Sequence, residues 1–188
     1  MAKWFNFSFF MYFPHSFQRK YVLPKTTLVS FLDLDVGTLK KKGKKLVIAD
    51  LDNTLVLPYA TDVSPKVLDK VKEIKAAGIH FAILSNHAGN IHDDHQARSE
   101  SLARVFEVEI EKTGLKKPDK RAYQLYLGKY HLLPRDAVCI GDRILTDIIG
   151  ANLLGIESIL VQPLDPAKDP WFVKLSRRIE HLLLKLYR

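Results

Sequence analysis

The sequence predicts an α/β protein with a doubly wound parallel sheet, in which helices cover both sides of the strands in three α/β/α layers. Two observations indicate this fold. From Lys44 onward, short apolar runs alternate with stretches of helical periodicity, and the runs are apolar throughout, as in strands buried on both faces. The chain has 188 residues, of which 47% are hydrophobic. That is enough for one buried core and argues against a disordered chain.

The expected elements follow one another along residues 44–188, which we interpret as one domain. Ser64 and Pro65 provide a cap and a first helical residue, and Gly78 provides a stop for the same helix. Pro118 is expected to open a later helix in the same way. The expected strands are 45–50, 79–84, 108–110, 137–140 and 158–162, and the expected helices are 65–77, 94–105, 118–130, 146–154 and 170–187.

The first 43 residues differ in composition from the rest. Residues 1–45 hold nine Lys and Arg against two acidic residues, and residues 1–21 hold nine of the 19 aromatic residues. Polar residues and Pro14 interrupt this stretch, so it is a poor transmembrane helix, and it lacks the cleavage pattern of a signal peptide. Aromatic rings beside basic groups suit the headgroup layer of a membrane. We interpret residues 1–43 as a membrane-associating segment, although the aromatics could instead complete the core of the domain.

The last expected helix is amphipathic. Its apolar residues form one stripe, while most of its basic residues lie outside it. We expect the stripe to pack on the sheet, with Arg177 and Arg178 able to face lipid headgroups. The stripe consists of Trp171, Phe172, Leu175, Ile179, Leu182, Leu183 and Leu186.

Two pairs of carboxylates follow expected strands. Asp50 and Asp52 come directly after the first strand, and Asp142 and Asp147 follow the fourth, where Gly141 permits a close backbone approach. Because the carboxyl ends of parallel strands share one edge of the sheet, the two pairs should meet there. Close carboxylates repel unless a cation, hydrogen bonds or a proton relieves them. Asp50 and Asp52 alone would equally suit a solvated strand–loop junction, and Asp147 could merely place a charge in the first turn of a helix.

Anion-binding groups follow the strands between these pairs. Ser85 and Asn86 end the second strand, and Lys117 precedes Pro118. A hydroxyl, a backbone N–H and an ammonium group are suited to holding an anion, although each would also be ordinary loop chemistry. Taken together, the strand ends predict a site for a hard cation such as Mg²⁺, which prefers oxygen ligands, beside a site for an anion.

These motifs resemble those of the haloacid dehalogenase superfamily over about residues 45–163. The resemblance lies in D-x-D-x-T at 50–54, S-N at 85–86, K-P at 117–118 and G-D-x4-D at 141–147. It implies a Mg²⁺-dependent phosphatase with a Rossmann-like core. Asp50 would be the nucleophile, and Asp52 the general acid and base, which must start protonated. The phosphoryl group would be held by Ser85, Asn86 and Lys117, and the metal by Asp50, the backbone carbonyl of Asp52, and Asp142, with Asp147 in support.

The gaps between the motifs leave no room for a cap domain. We therefore expect an open site, which suits a substrate whose bulk stays outside it. The stretches A-D-L-D-N-T-L (49–55), S-N-H-A-G (85–89), K-K-P (116–118) and G-D-R-x-x-T-D-I-x-x-A-N (141–152) further resemble the capless phosphatidylglycerophosphate phosphatases. That branch implies removal of the terminal phosphate to give phosphatidylglycerol, a step of phospholipid and cardiolipin synthesis. Arg143 would then contact a phosphate, or instead form a salt bridge.

The expected partners are an anionic phospholipid and a membrane surface, with no nucleic acid and no obligate protein partner. The expected location is the inner face of a bacterial membrane or the matrix side of the mitochondrial inner membrane. Alternatives are a phosphatase for nucleic-acid ends, sugar phosphates or phosphoproteins, and a non-catalytic membrane-binding module. His87, His92 and His95 could form a zinc site, but no cysteine lies near them, so we expect a solvated or headgroup-contacting loop.

Overall fold

The structure is a computed structural model that describes residues 18–86, 93–108 and 114–187. Its centre is a five-stranded sheet in which every strand pair is parallel, in the order β1-β5-β4-β2-β3. The strands are β1 Thr26–Thr27, β2 Leu46–Ala49, β3 His80–Ile83, β4 Ala137–Gly141 and β5 Glu157–Leu160. The helices are α1 Arg19–Val22, α2 Val36–Lys41, α3 Pro65–Ala76, α4 Asp93–Phe106, α5 Lys120–Lys129, α6 Ile149–Asn152 and α7 Trp171–Tyr187.

The strands bury side chains on both faces of the sheet. In β2, Val47 and Ala49 pack into a cluster with residues of α2, α3 and α4, whereas Leu46 and Ile48 pack into a second cluster with residues of α5 and α6. Because successive strand residues point to opposite faces, a continuous apolar run fills both clusters. The expected doubly wound, three-layer α/β/α fold is confirmed. Between Asn53 and Ser85 the structure has only loops, α3 and β3, so no cap domain is inserted there.

Two expected helices begin differently in the structure. Pro118 does not open α5; it follows Lys117 in a turn, across a cis peptide bond. Asp119 caps the helix instead, because its side chain accepts the Arg121 N–H at 2.9 Å. The first part of the helix expected at 146–154 is a π-helical turn, Ile144–Ile148, which leads into α6. Of the strand expected at 108–110, Val108 lies outside any strand, and the other two residues fall outside the described parts of the chain.

Strand β1 was not expected from the sequence. Thr26 and Thr27 pair with Ile159 and Leu160 of β5, and so extend the sheet by one strand. The described part of the 1–43 segment is therefore continuous with the domain. Residues 1–17 lie outside the described chain, and the membrane association of this segment remains a prediction.

The expectation that the stripe of α7 packs on the sheet is wrong for most of its length. Six of its seven side chains are exposed, among them Leu182 at 66% and Leu186 at 71%. Other helices already cover both faces of the sheet, so α7 packs at its border. There Leu183, Leu184 and Tyr187 contact a small cluster formed by Val22 of α1 and by Ile144, Ile148 and Ile149. Each helix in the part of the chain that the structure describes is too short or too polar to span a bilayer.

Candidate active site

Three carboxylates meet at the carboxyl edge of the sheet. β2 and β4 are neighbours with Ala49 opposite Ile140, so Asp50 and Asp142, which follow these strands, lie side by side. The π-helical turn after β4 brings Asp147 to the same place. One carboxylate oxygen from each of Asp50, Asp142 and Asp147 lies within 4.8 Å of the others. The sequence prediction that these strand ends converge is thus met by the geometry.

Lys117 lies among these carboxylates. Its Nζ contacts the Asp50 carboxylate and lies 2.6 Å from Asp147 Oδ1, and only 3% of its side chain is exposed. Burial acts to lower the pKa of Lys117, but the carboxylates of Asp147 and Asp50 outweigh it and hold the pKa above its usual range. The lysine is therefore charged and held where an anion approaching Asp50 would meet it.

The neighbouring cations do not fully offset the burial and mutual repulsion of the three carboxylates. Burial raises the pKa of Asp50 to about 6, although the Lys117 ammonium acts to lower it. Burial and the Asp147 carboxylate raise the pKa of Asp142 to about 6, against the effect of Arg177. Burial likewise raises the pKa of Asp147. Such shifts are relieved by a cation, and a set of carboxylate oxygens suits a hard divalent ion such as Mg²⁺. The residues present therefore fit the expected metal.

Gly141 is required by the packing of Asp147. A Cβ atom at position 141 would lie 2.4 Å from Cγ and Oδ2 of Asp147. Asp147 is completely buried, its Oδ2 accepts the Arg143 N–H at 3.0 Å, and its backbone carbonyl accepts the Tyr123 hydroxyl at 3.2 Å. The close approach expected at this glycine is thus made by a site carboxylate.

Asp52 is bound by an arginine that the sequence analysis missed. Arg98 of α4 donates to the two carboxylate oxygens of Asp52 at 2.7 and 3.3 Å, and to the Ala60 carbonyl at 2.8 Å. The Tyr59 N–H also donates to Asp52, at 3.2 Å. A paired guanidinium stabilises the charged form of a carboxylate. No local motif could have identified Arg98, because it lies 46 residues from Asp52 in sequence.

Asn86 and Ser85 lie beside the carboxylate cluster. The Asn86 side chain accepts the Lys117 N–H at 2.6 Å and donates to the Lys117 carbonyl at 3.1 Å. In this structure Asn86 therefore fixes the backbone of Lys117, and it can influence a phosphate through that lysine. Ser85 is buried directly beyond β3.

Two arginines divide between the site and its border. Arg143 forms a salt bridge with Glu180 of α7, with Nε 2.9 Å from Oε1, and also donates to Ser176, which is the alternative left open for it. Arg177, expected to face headgroups, points inward. It contacts the carboxylates of Asp142 and Asp169, and its Nη1 donates to the Asp142 carbonyl at 3.1 Å. His87, His92 and the side chain of His95 fall outside the described residues.

Comparisons with known proteins identify the family of this chain. Residues 12–164 match the model of the family described as mitochondrial PGP phosphatase. The chain is 32% identical over 169 residues to phosphatidylglycerophosphate phosphatase 1, chloroplastic/mitochondrial, of Arabidopsis thaliana, with 89% of this chain and 48% of that protein covered. It is 31% identical over 168 residues to the probable phosphatase YqeG of Bacillus subtilis, with 88% and 91% covered. It is 26% identical over 144 residues to the mitochondrial phosphatidylglycerophosphatase GEP4 of Saccharomyces cerevisiae, with 74% and 77% covered. This chain therefore spans about half the length of the Arabidopsis relative.

Proposed function

The chain belongs to the mitochondrial PGP phosphatase family. We propose that it is a phosphatase that converts phosphatidylglycerophosphate to phosphatidylglycerol. The observation that carries the proposal is the position of Lys117, which contacts both Asp50 and Asp147 within the carboxylate cluster. An anionic nucleophile meets an anionic phosphate only where positive charge lies between them. The names of the Arabidopsis and yeast relatives support the substrate.

In the proposed reaction, the Asp50 carboxylate attacks phosphorus and forms an aspartyl-phosphate while the bond to the glycerol oxygen breaks. Asp52 gives its proton to that leaving oxygen. Asp52 then takes a proton from water, whose oxygen attacks phosphorus and releases inorganic phosphate and free Asp50. A Mg²⁺ ion held by Asp50, the Asp52 carbonyl and Asp142 would neutralise phosphate oxygens, with Asp147 in support.

The surrounding residues prepare these steps. Lys117 pairs with the phosphate oxygens and orients Asp50, and Asn86 holds the lysine in place. Ser85 supplies a hydroxyl at the phosphate. Asp52 must carry a proton to act as the acid, so its pair with Arg98 is expected to open as substrate enters. The guanidinium is then able to turn towards the arriving phosphate.

The proposed place of action is the surface of an anionic phospholipid membrane. The Arabidopsis and yeast relatives are named as chloroplastic/mitochondrial and mitochondrial proteins. For this chain the sides expected from the sequence stand as proposals: the inner face of a bacterial membrane, or the matrix side of the mitochondrial inner membrane. The segment 1–43 is the membrane contact predicted from composition.

Phosphate release by the purified full chain tests the function. We expect Mg²⁺-dependent hydrolysis of phosphatidylglycerophosphate in detergent micelles, and much slower hydrolysis of soluble phosphomonoesters. Asp50→Asn should abolish turnover and covalent labelling by substrate phosphate while leaving the circular dichroism spectrum unchanged. The matched control is Asp69→Asn, an exposed carboxylate of α3, which should keep full activity. Equal rates on soluble esters would reject the substrate, and an active Asp50→Asn variant would reject the nucleophile.

A further inference from the structure

The outer face of α7 presents a continuous apolar surface. Its members recur at intervals of one, three, four, three and four residues, so they occupy one side of the helix. We call them the apolar face. They are Trp171, Phe172, Leu175, Ile179, Leu182 and Leu186, with exposed fractions of 76%, 49%, 50%, 45%, 66% and 71%. Apolar side chains exposed singly are common, but a contiguous set of this kind marks an interaction site.

A row of basic side chains borders the apolar face on one side. Lys174, Arg178, His181 and Lys185 follow one another at intervals of four, three and four residues, and all four are exposed. We call them the basic flank. The described part of α7 contains one acidic residue, Glu180, and it is buried against Arg143. The exposed surface of the helix therefore combines apolar groups with positive charge.

The same helix forms part of the wall of the candidate active site. Its inner side places Arg177 on Asp142 at the end of β4. Two further exposed apolar residues lie next to residues of the site: Tyr59 and Leu164. Tyr59 is joined to Asp52 through its N–H, and Leu164 to the Asn53 carbonyl at 3.0 Å. Exposed apolar residues thus occur both beside the site and on α7.

We propose that α7 docks on the surface of an anionic phospholipid bilayer through its apolar face. A 17-residue helix with a Trp- and Leu-rich side and a basic border has the composition of helices that lie in the plane of the headgroups. The basic flank would contact lipid phosphates. Docking in this way would hold the enzyme on the membrane that carries its proposed substrate. This last consequence rests on the proposed function.

Charge complementarity favours a bilayer over a second copy of the chain. Another α7 would supply the same basic flank and no exposed acidic side chain to pair with it. The charges of Lys174, Arg178 and Lys185 repel their copies at such a contact, whereas an anionic membrane surface attracts them. The apolar face would be covered equally well by the acyl chains of a bilayer or by the same face of a second copy. The charges of the basic flank therefore distinguish these two partners.

Sedimentation of the full chain with vesicles tests the proposal. The wild-type protein should bind vesicles of phosphatidylcholine with phosphatidylglycerol more tightly than vesicles of phosphatidylcholine alone. The double variant Leu182→Glu, Leu186→Glu should bind at least about tenfold more weakly, because each leucine gives up its transfer into the bilayer. The matched control is Leu133→Glu, also at an exposed leucine (51%) but beside the start of β4, at the opposite edge of the sheet. It should bind as the wild type does.

Tryptophan fluorescence locates the contact. The chain has two tryptophans, Trp4 and Trp171, so the Trp4→Phe variant reports on α7 alone. Its emission should shift to shorter wavelength on anionic vesicles and be quenched by brominated lipid. An unchanged spectrum in the presence of sedimenting vesicles would overturn the proposal, because the membrane contact would then lie elsewhere.

Two further outcomes would overturn the docking proposal without bearing on the proposed function. One is vesicle binding that survives the double variant but is lost when Trp4 and Phe5 are changed to serine, which assigns docking to the N-terminal segment. The other is concentration-dependent dimerisation that the double variant abolishes, without any vesicle binding.

If the protein binds vesicles through α7 but does not hydrolyse phosphatidylglycerophosphate in detergent, the proposed function fails and the docking surface stands. If both hold, the double variant should slow hydrolysis only when the substrate is in vesicles.

Discussion

Arg177 binds Asp142 twice, through the carboxylate and through the backbone carbonyl, across 35 residues of sequence. The same guanidinium contacts Asp169, which in turn accepts the side-chain N–H of Asn53 at 2.9 Å. Asn53 also binds residues 164 and 165, with its carbonyl and its side chain. The final helix, the loop before it and the loop after β2 are thereby joined around one candidate metal ligand. The position of Asp142 consequently depends on α7.

Arg177→Gln is expected to destabilise the metal-free protein by about 2 kcal/mol, because it leaves Asp142 and Asp169 without their shared cation. Added Mg²⁺ should recover more stability in the variant than in the wild type, since the ion supplies the missing charge to Asp142. Urea unfolding with and without Mg²⁺ measures both effects. Arg178→Gln, at the exposed neighbour, is the control and should change neither. If Arg177→Gln changed the free energy of unfolding no more than Arg178→Gln does, the Arg177 contacts would contribute nothing to stability.

Lys117→Met should lower kcat by roughly 100-fold or more, on the scale of lost electrostatic stabilisation in a preorganised site. Lys117→Arg should fail as well, because a planar guanidinium does not fit where one ammonium contacts two carboxylates and only 3% of the side chain is exposed. The adjacent Lys116→Met is the control and should retain most activity. Steady-state phosphate release measures all three, and an active Lys117→Arg variant would contradict the geometry described for this lysine.

Most of the fold follows from local sequence patterns. The runs that form β2 and β4 are apolar on both faces, and that pattern is enough to predict strands covered by helices on both sides. β1 has only two residues and no periodicity to recognise. The amphipathic pattern of α7 identifies which residues share a side of the helix, but not which side the protein covers. Coverage depends on elements already packed on the sheet, and that is a tertiary property.

The candidate site, like the fold, was only partly predictable from local sequence patterns. Asp50 and Asp142 were predictable together because parallel strands end at one edge of a sheet, and each directly follows its strand. Arg98 and Arg177 were not, because each reaches the site from a helix, without a motif or a fixed spacing to the residue it binds. Asn86 was predicted at the phosphate, yet its amide holds the backbone of Lys117. Residue type indicated the neighbourhood there, and only the structure gives the contact.

Gly141→Ala should disable the site by displacing a carboxylate. The added Cβ would lie 2.4 Å from Cγ of the completely buried Asp147, so the carboxylate would have to shift. We expect the free energy of unfolding to fall by about 1–3 kcal/mol. Activity should fall at least tenfold, because a displaced Asp147 would also misplace Lys117, which pairs with it. Gly128→Ala is the control, because nothing lies within 4 Å of a Cβ at that position in α5. It should be neutral or stabilising. Wild-type activity in Gly141→Ala would show that Asp147 tolerates displacement.

The stabilisation of the protein by Mg²⁺ should depend on pH. Burial raises the pKa values of Asp50 and Asp142 from 3.8 to about 6, so between these values the folded metal-free protein binds protons that the unfolded chain has released. The free energy of unfolding from this source therefore falls as pH rises through that interval. Mg²⁺ binds the ionised carboxylates and removes the penalty. The increase in Tm on adding Mg²⁺ should be large above about pH 7 and small below about pH 5.

A carboxylate whose pKa is lowered in the folded protein does not obscure this dependence. The side chain of Arg121 holds the pKa of Asp119 below its usual value, so the stability contributed by Asp119 is lost only below about pH 4. Thermal unfolding in Mg²⁺ and in EDTA over this pH range provides the measurement. In Asp142→Asn, which removes one of the repelling carboxylates, metal-free stability at high pH should rise and the Mg²⁺ increment should shrink. An increment that is the same at every pH would mean that the ion stabilises the protein somewhere other than at these carboxylates.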